Sequence, residues 1–135
     1  MVHAIVISGS DPRLESEIET GRDSALHFRA LAAGEAYAVY GPYIALPAGR
    51  HRIELELTIE ARAQGRVRIE LCHSGARVRL YDRPCFEWEL MRGFIRVSYP
   101  FERPIENLEV RLRVPSGFAG SVRRLSFQQV ASSSS

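Results

Sequence analysis

Four tyrosines and one charged dipeptide are the residues of this chain best suited to holding a ligand. Tyr37, Tyr40 and Tyr43 lie close together in sequence, and Tyr81 is followed at once by Asp82 and Arg83. A flat ring covers the C–H face of a sugar, and planar charged groups read its hydroxyls in pairs. Tyr40, Tyr43, Tyr81, Asp82 and Arg83 therefore make up the candidate ligand-binding set, with Tyr37 as a further platform. The bland reading of the same rings is half-buried packing with wet hydroxyls.

Other chemistries find little support. His3, His27, His51 and His73 sit on four separate segments, without the close spacing of a metal site. Cys72 and Cys85 are not in a C-x-x-C arrangement, and the sequence suggests free thiols. Gly9-Ser10 and Ser116-Gly117 read as turns rather than nucleophile motifs. Glu54, Glu56 and Glu60 share one strand, whereas glycoside cleavage needs two carboxylates facing each other across the sugar. No catalytic residue is assigned, and the chain is expected not to be an enzyme.

The elements that must position these residues follow from alternation. Ile53, Leu55, Leu57 and Ile59 alternate with charged or polar neighbours, which gives a strand with one dry and one wet face. Similar patterns predict strands at His3–Ser8, Leu26–Ala30, Val67–Leu71, Val78–Tyr81 and Leu108–Val114. Gly41-Pro42 and Pro47-Ala48-Gly49 bracket a short edge strand, with Gly49 suited to a positive φ. A last strand carries Leu125 and Phe127. Val122 is out of phase with them, which places a bulge near Arg123-Arg124. Turns are expected at Ala32-Ala33-Gly34 and Asp82-Arg83-Pro84.

Phe86–Tyr99 reads as a hairpin turning at Arg92-Gly93. That register pairs Leu90 with Ile95, Trp88 with Val97 and Phe86 with Tyr99, so Trp88 is expected in the core. Met91 and Phe94 would then share the outer face beside the turn, as a candidate partner or homo-oligomer interface. Nine or ten short strands with Gly/Pro turns predict an all-β antiparallel sandwich of jelly-roll type. Residues 1–130 are read as one domain and 131–135 as a flexible Ser-rich tail.

The string YGPYIALPAGRHRIELEL, Tyr40 to Leu57, and LEVRLRVPSGFAGSVRRLSF, Leu108 to Phe127, carry a resemblance. They resemble bacterial accessory domains with a galactose-binding-like, carbohydrate-binding-module-like jelly roll, which accompany glycosyltransferases and surface-polysaccharide proteins. His51 stands where an aromatic would be expected before the core strand. The resemblance implies a carbohydrate ligand, a non-catalytic accessory role and a fused or partner glycan enzyme. Many such modules hold a structural calcium through an N-terminal Glu-rich pattern that is not clearly present here, so no cofactor is expected. A purely structural sandwich that oligomerises or docks a partner is the alternative.

The net charge of +2 is too small to point to nucleic acid. No apolar run approaches the roughly 20 residues of a membrane span. The N-terminus lacks the zones of a signal peptide, which leads to an expectation of a cytoplasmic protein.

Overall fold

The computed structural model describes residues 4–31 and 34–131. His3, the Ala32-Ala33 part of the expected turn and tail residues 132–135 lie outside the described residues. Among the described residues, eleven strands and one short helix follow each other: β1 (Ala4–Ser8), β2 (Glu19–Arg22), β3 (Leu26–Arg29), β4 (Ala36–Val39), β5 (Pro42–Leu46), β6 (Gly49–Ala61), β7 (Arg68–His73), β8 (Val78–Pro84), α1 (Glu87–Arg92), β9 (Phe94–Phe101), β10 (Ile105–Val114) and β11 (Ala119–Gln129).

The strands form two antiparallel sheets in a sandwich of jelly-roll type. One sheet runs β2-β3-β11-β6-β9, with β1 added on β11. The other runs β4-β10-β7-β8, with β5 also on β10. Alternation along the central strands decides which residues meet. Ile53, Leu55 and Leu57 of β6 and Leu125 and Phe127 of β11 face Ile69, Leu71, Val110 and Leu112 of the opposite sheet in one buried cluster. Each fully buried side chain of this size contributes about 1.5–3 kcal/mol. The ladder between β6 and β11 shifts register between Val122 and Arg124, and this bulge brings Val122 into the core beside Leu125.

Strands β4 and β5 lie end to end along the same side of β10, β4 against Leu112–Val114 and β5 against Ile105–Glu109. The break between them is a cis Gly41-Pro42 bond, with Gly41 at φ 120°. The edge strand through Leu46 and the positive φ of Gly49, 121°, match the sequence reading. Gly120 has no room for a side chain, because a Cβ there would run into the Thr58 carbonyl of β6.

The expected hairpin does not form. Its first half is α1, and Trp88 is 53% exposed rather than buried. Only Glu89 and Leu90 of this helix face inward. The Glu89 side chain accepts from the Phe86 amide at 2.9 Å, and the left-handed Gly93 (φ 88°) ends the helix. The second half of the expected hairpin is a true strand, β9, but its partner is β6. Ile95 lies opposite Leu55, Val97 opposite Ile53 and Tyr99 opposite His51. Fewer than two helical turns carry too little periodicity to compete with an apparent alternation, so the Arg92-Gly93 turn and the Trp88 register were both misread. Helix α1 instead links β8 of one sheet to β9 of the other.

His51 lies at the inner end of β6, 1% exposed. Its Nδ1 donates to the Gly49 carbonyl at 3.2 Å, and its ring meets Phe101 edge-on with centroids 5.4 Å apart. Burial holds this imidazole below its ordinary pKa, with the Gly49 bond pulling the other way. A depressed value means that its stabilising contribution is present above the unfolded value of about 6.5 and is lost as pH falls through the folded value. Melting temperature should therefore fall from pH 7 to pH 5, and His51→Phe should flatten that dependence. A slope unchanged in the variant would refute the assignment.

The exposure of Trp88 sets a second expectation. Trp88→Ala should change stability by no more than about 1 kcal/mol, whereas Phe118→Ala, at a fully buried position, should cost about 3–5 kcal/mol. Urea unfolding of the two variants side by side measures this difference.

Candidate functional site: the outer face of the five-stranded sheet

Strand β10 builds the site. Its residues Leu108, Val110, Leu112 and Val114 enter the core, so Glu109, Arg111 and Arg113 must point outward. Across the ladder to β7, Glu109 lies opposite Cys72, Arg111 opposite Glu70 and Arg113 opposite Arg68. One strand further, Asp82 of β8 lies opposite Glu70. On the other side, Tyr37 of β4 lies opposite Arg113, and Tyr40 and Tyr43 follow along the same edge.

Part of this face is knitted together by ion pairs. Arg68 donates to Asp82 at 3.0 Å, and Arg79 reaches the other Asp82 oxygen at 3.4 Å. Tyr37 donates its hydroxyl to Glu70 at 3.4 Å, and its phenol is held above its ordinary pKa by burial and then by the Glu70 charge. Glu70 is 0% exposed, and one of its oxygens faces Arg113 Nε at 3.5 Å without hydrogen-bond geometry.

The other part is unpaired. Glu109 is 3% exposed, and among the described residues no cation lies within 4.0 Å of it and its Oε2 has no hydrogen-bond partner. Arg111 likewise has no carboxylate partner among the described residues and a buried, unbonded Nε. Its guanidinium lies over the Tyr37 ring, 3.8 Å from the centroid, and 5.8 Å from that of Tyr40. A bare carboxylate and a bare guanidinium thus stand two residues apart on one strand, beside three rings. The outer face of the six-stranded sheet is different: Glu54 pairs with Arg96 at 2.8 Å and Glu56 with Arg124 at 2.6 Å.

The tyrosine edge is held in place from outside the sheet. Tyr40 exchanges backbone hydrogen bonds with Glu15, and the Tyr37 amide donates to the Glu17 carboxylate at 2.7 Å. Tyr43 has φ 64°, a conformation uncommon for a non-glycine residue, and its hydroxyl donates to Glu15 at 3.1 Å.

Of the sequence-derived set, Tyr40, Tyr43 and Asp82 come to this face. Tyr81 and Arg83 point the other way, because they lie opposite the inward-facing Leu71 and Ile69. Tyr81 packs edge-on against Tyr99, 6.1 Å between centroids. Arg83 is committed to α1: it donates to both Glu89 oxygens at 2.8 and 2.9 Å, to the Pro84 carbonyl at 3.0 Å and to the Arg96 carbonyl at 3.1 Å. The sequence reading missed Glu70, Glu109, Arg111 and Arg113. The alternation of β10 was the signal that could have found them, since it sends all three of that strand's charges to one face.

Met91 is 79% exposed on α1, beside Phe86 and Trp88, whose rings are nearly parallel with centroids 5.9 Å apart. Phe94 is half-buried, with Arg96 over its ring at 5.5 Å. A hollow of about 680 Å³ also opens between the β8 and β9 edges, over Leu80, Tyr99, Phe101 and Ile105. None of the unpartnered buried polar atoms lines it. Both thiols are free; burial pushes Cys85 up to about 12 and raises Cys72. Among the described residues, no group of three or more His, Cys, Asp or Glu is placed to hold a metal ion, and no helix is long and apolar enough to cross a membrane.

No protein-family model and no curated protein sequence matches the chain. Solved structures do. The C-terminal CBM6 of LamC, a marine laminarinase from Zobellia galactanivorans, superposes with a TM-score of 0.55 at 11% identity, over 94% of this chain and 100% of that one. The CBM6 module of Cellvibrio mixtus lichenase 5A, solved with cellotriose, gives 0.54 at 10% identity, over 94% and 98%. The Streptococcus agalactiae glycosylation-associated Gap123 complex gives 0.57 at 11% identity, over 95% of this chain but 26% of that one. The chain has the fold of carbohydrate-binding modules.

The Arg83–Glu89 pair fixes α1 and gives a prediction. Burial alone would raise the Glu89 carboxyl, but the Arg83 guanidinium and the Phe86 and Arg96 amides outweigh it and leave it below its ordinary value. Its contribution is present above the unfolded carboxylate value and is lost as pH falls through the lower folded value. Glu89→Gln should cost about 3–5 kcal/mol at pH 7 by leaving Arg83 buried without its partner. The gap from the parent should narrow below about pH 4. A constant difference from pH 7 to pH 3 would contradict this.

Proposed function

We propose that this chain is a non-catalytic carbohydrate-binding module whose ligand lies on the outer face of the five-stranded sheet. The observation that carries the reading is the buried Glu109 carboxylate, without a cation among the described residues, and the half-buried Arg111, without a carboxylate, beside Tyr37, Tyr40 and Tyr43. Buried polar groups are ordinarily hydrogen-bonded, so a carboxylate and a guanidinium without ion-pair partners beside exposed rings favour a partner bound from outside. Rings supply area, Arg111 supplies planar donors and Glu109 supplies an acceptor, which together suit a pyranose with several hydroxyls. The fold adds support, since the similar structures include a module solved with cellotriose.

Nothing in the arrangement calls for turnover. The carboxylates of this face lie on one sheet rather than facing each other across a cleft, so the ligand is held rather than cleaved. An accessory role fits the same reading: the match to the Gap123 complex covers 26% of a longer chain. The exposed Phe86, Trp88 and Met91 surface on α1 suits attachment to a larger glycan-processing partner.

A glycan array followed by NMR titration tests the reading. Binding is expected in the micromolar to millimolar range, roughly −8 to −4 kcal/mol. Arg111→Ala or Tyr40→Ala should weaken it at least about ten-fold, while Trp88→Ala leaves it unchanged. Loss of binding in Trp88→Ala with none in Arg111→Ala would move the site to α1. Hydrolysis of any bound glycan would overturn the non-catalytic reading.

A further inference from the structure

The two ends of the tyrosine edge differ in charge. At the Tyr37 end, the guanidinium of Arg111 covers the ring. At the Tyr43 end, the strand pairing sets Glu109 opposite Pro42, next to Tyr43, and Glu15 accepts from the Tyr43 hydroxyl. Glu109 is the buried carboxylate with no cation within 4.0 Å among the described residues. Both phenols register the resulting field. Tyr43 is held well above its ordinary pKa by burial and then by Glu109 and Glu15, and Tyr40 by burial and then by Glu15 and Glu17, with Arg111 opposing.

We propose that the corner formed by Tyr40, Tyr43, Glu15 and Glu109 is a subsite for a sugar unit bearing a free amino group, an unsubstituted hexosamine, and that it rejects acidic sugars. The inference rests on the carbohydrate reading above and adds the charge of the ligand to it. A neutral hydroxyl gives Glu109 one hydrogen bond, whereas an ammonium gives a charge-assisted one and removes the cost of an unpaired buried anion. The same ammonium is attracted to the faces of the two rings. A uronic acid at this corner would add a fourth carboxylate to Glu15, Glu17 and Glu109.

The test titrates the full chain with four tetramers at one ionic strength: β-1,4-glucosamine, its N-acetylated form, cellotetraose and galacturonate. The glucosamine tetramer should bind about ten-fold more tightly than cellotetraose or the N-acetylated form, and galacturonate should not bind. Glu109→Gln should remove that preference, bringing the glucosamine tetramer down to whatever affinity the same variant shows for cellotetraose, and Glu15→Gln should reduce it. The melting temperature of Glu109→Gln should equal or exceed the parent's, because the change removes an unpaired buried charge. A clear fall in melting temperature would show that Glu109 has a structural partner and overturn the premise. Equal binding of the amino and neutral tetramers, or a preference that survives Glu109→Gln, overturns this inference and leaves the carbohydrate reading standing. Failure of these tetramers and of every arrayed glycan overturns both.

Discussion

The candidate site depends on one constraint, the register of β10. This strand is flanked by β7 on one side and by β4 and β5 on the other. Every second residue of its second half is in the core, and a slip by one position would turn Glu109, Arg111 and Arg113 toward the apolar interior and Val110 and Leu112 away from it. That exchange costs the hydrophobic burial of several side chains and adds the desolvation of three charges. The core therefore holds the Glu109 carboxylate and the Arg111 guanidinium on the outer side of the sheet at fixed spacing. Neither needs a partner of its own within the chain for its position to be defined.

The same sheet shows how unevenly charge is settled. Arg68, Arg79 and Asp82 form a network at the β8 side, and Arg113 lies between Glu35 at 3.1 Å and Glu70. Pairing stops at Glu109 and Arg111, which lie beside the tyrosines. On the six-stranded sheet, by contrast, Glu54 and Glu56 of β6 are matched by Arg96 of β9 and Arg124 of β11. A surface whose charges are mutually satisfied offers a ligand little, because each new contact must replace an old one. The unmatched corner offers contacts without that exchange.

Helix α1 illustrates a different use of charge. Arg83 and Glu89 are both largely buried, and their two hydrogen bonds are reinforced by the Phe86 and Arg96 amides and the Pro84 and Arg96 carbonyls. A pair so fully bonded is costly to break from one side, and it fixes the path of the chain from one sheet to the other. The exposed rings of Phe86 and Trp88 are a consequence: with Glu89 and Leu90 turned inward, the helix has nowhere else to put them. Fold and site are separable in this protein, since the similar structures share the sandwich at 10–12% identity.

The linear chain is enough for the sandwich, its edge-strand break at Gly41-Pro42, the Gly49 turn and the bulge before Leu125, because strand alternation and turn chemistry are local. It also brought Tyr40, Tyr43 and Asp82 forward as surface groups. Tertiary structure alone decided the rest. Alternation within Phe86–Tyr99 is compatible with a hairpin, but β9 gains more by extending the six-stranded sheet on β6, and Glu89 and Gly93 convert the preceding segment into a helix. Tyr81 and Arg83 were placed by the pairing of β8 with β7, which turns them from the ligand face to the core side. Glu109 and Arg111 are ordinary charged residues of an amphipathic strand when read along the chain. Only the arrangement of four strands around them shows that one is buried without a cation and the other lies on a ring, because partners distant in sequence are what a charge does or does not find on folding.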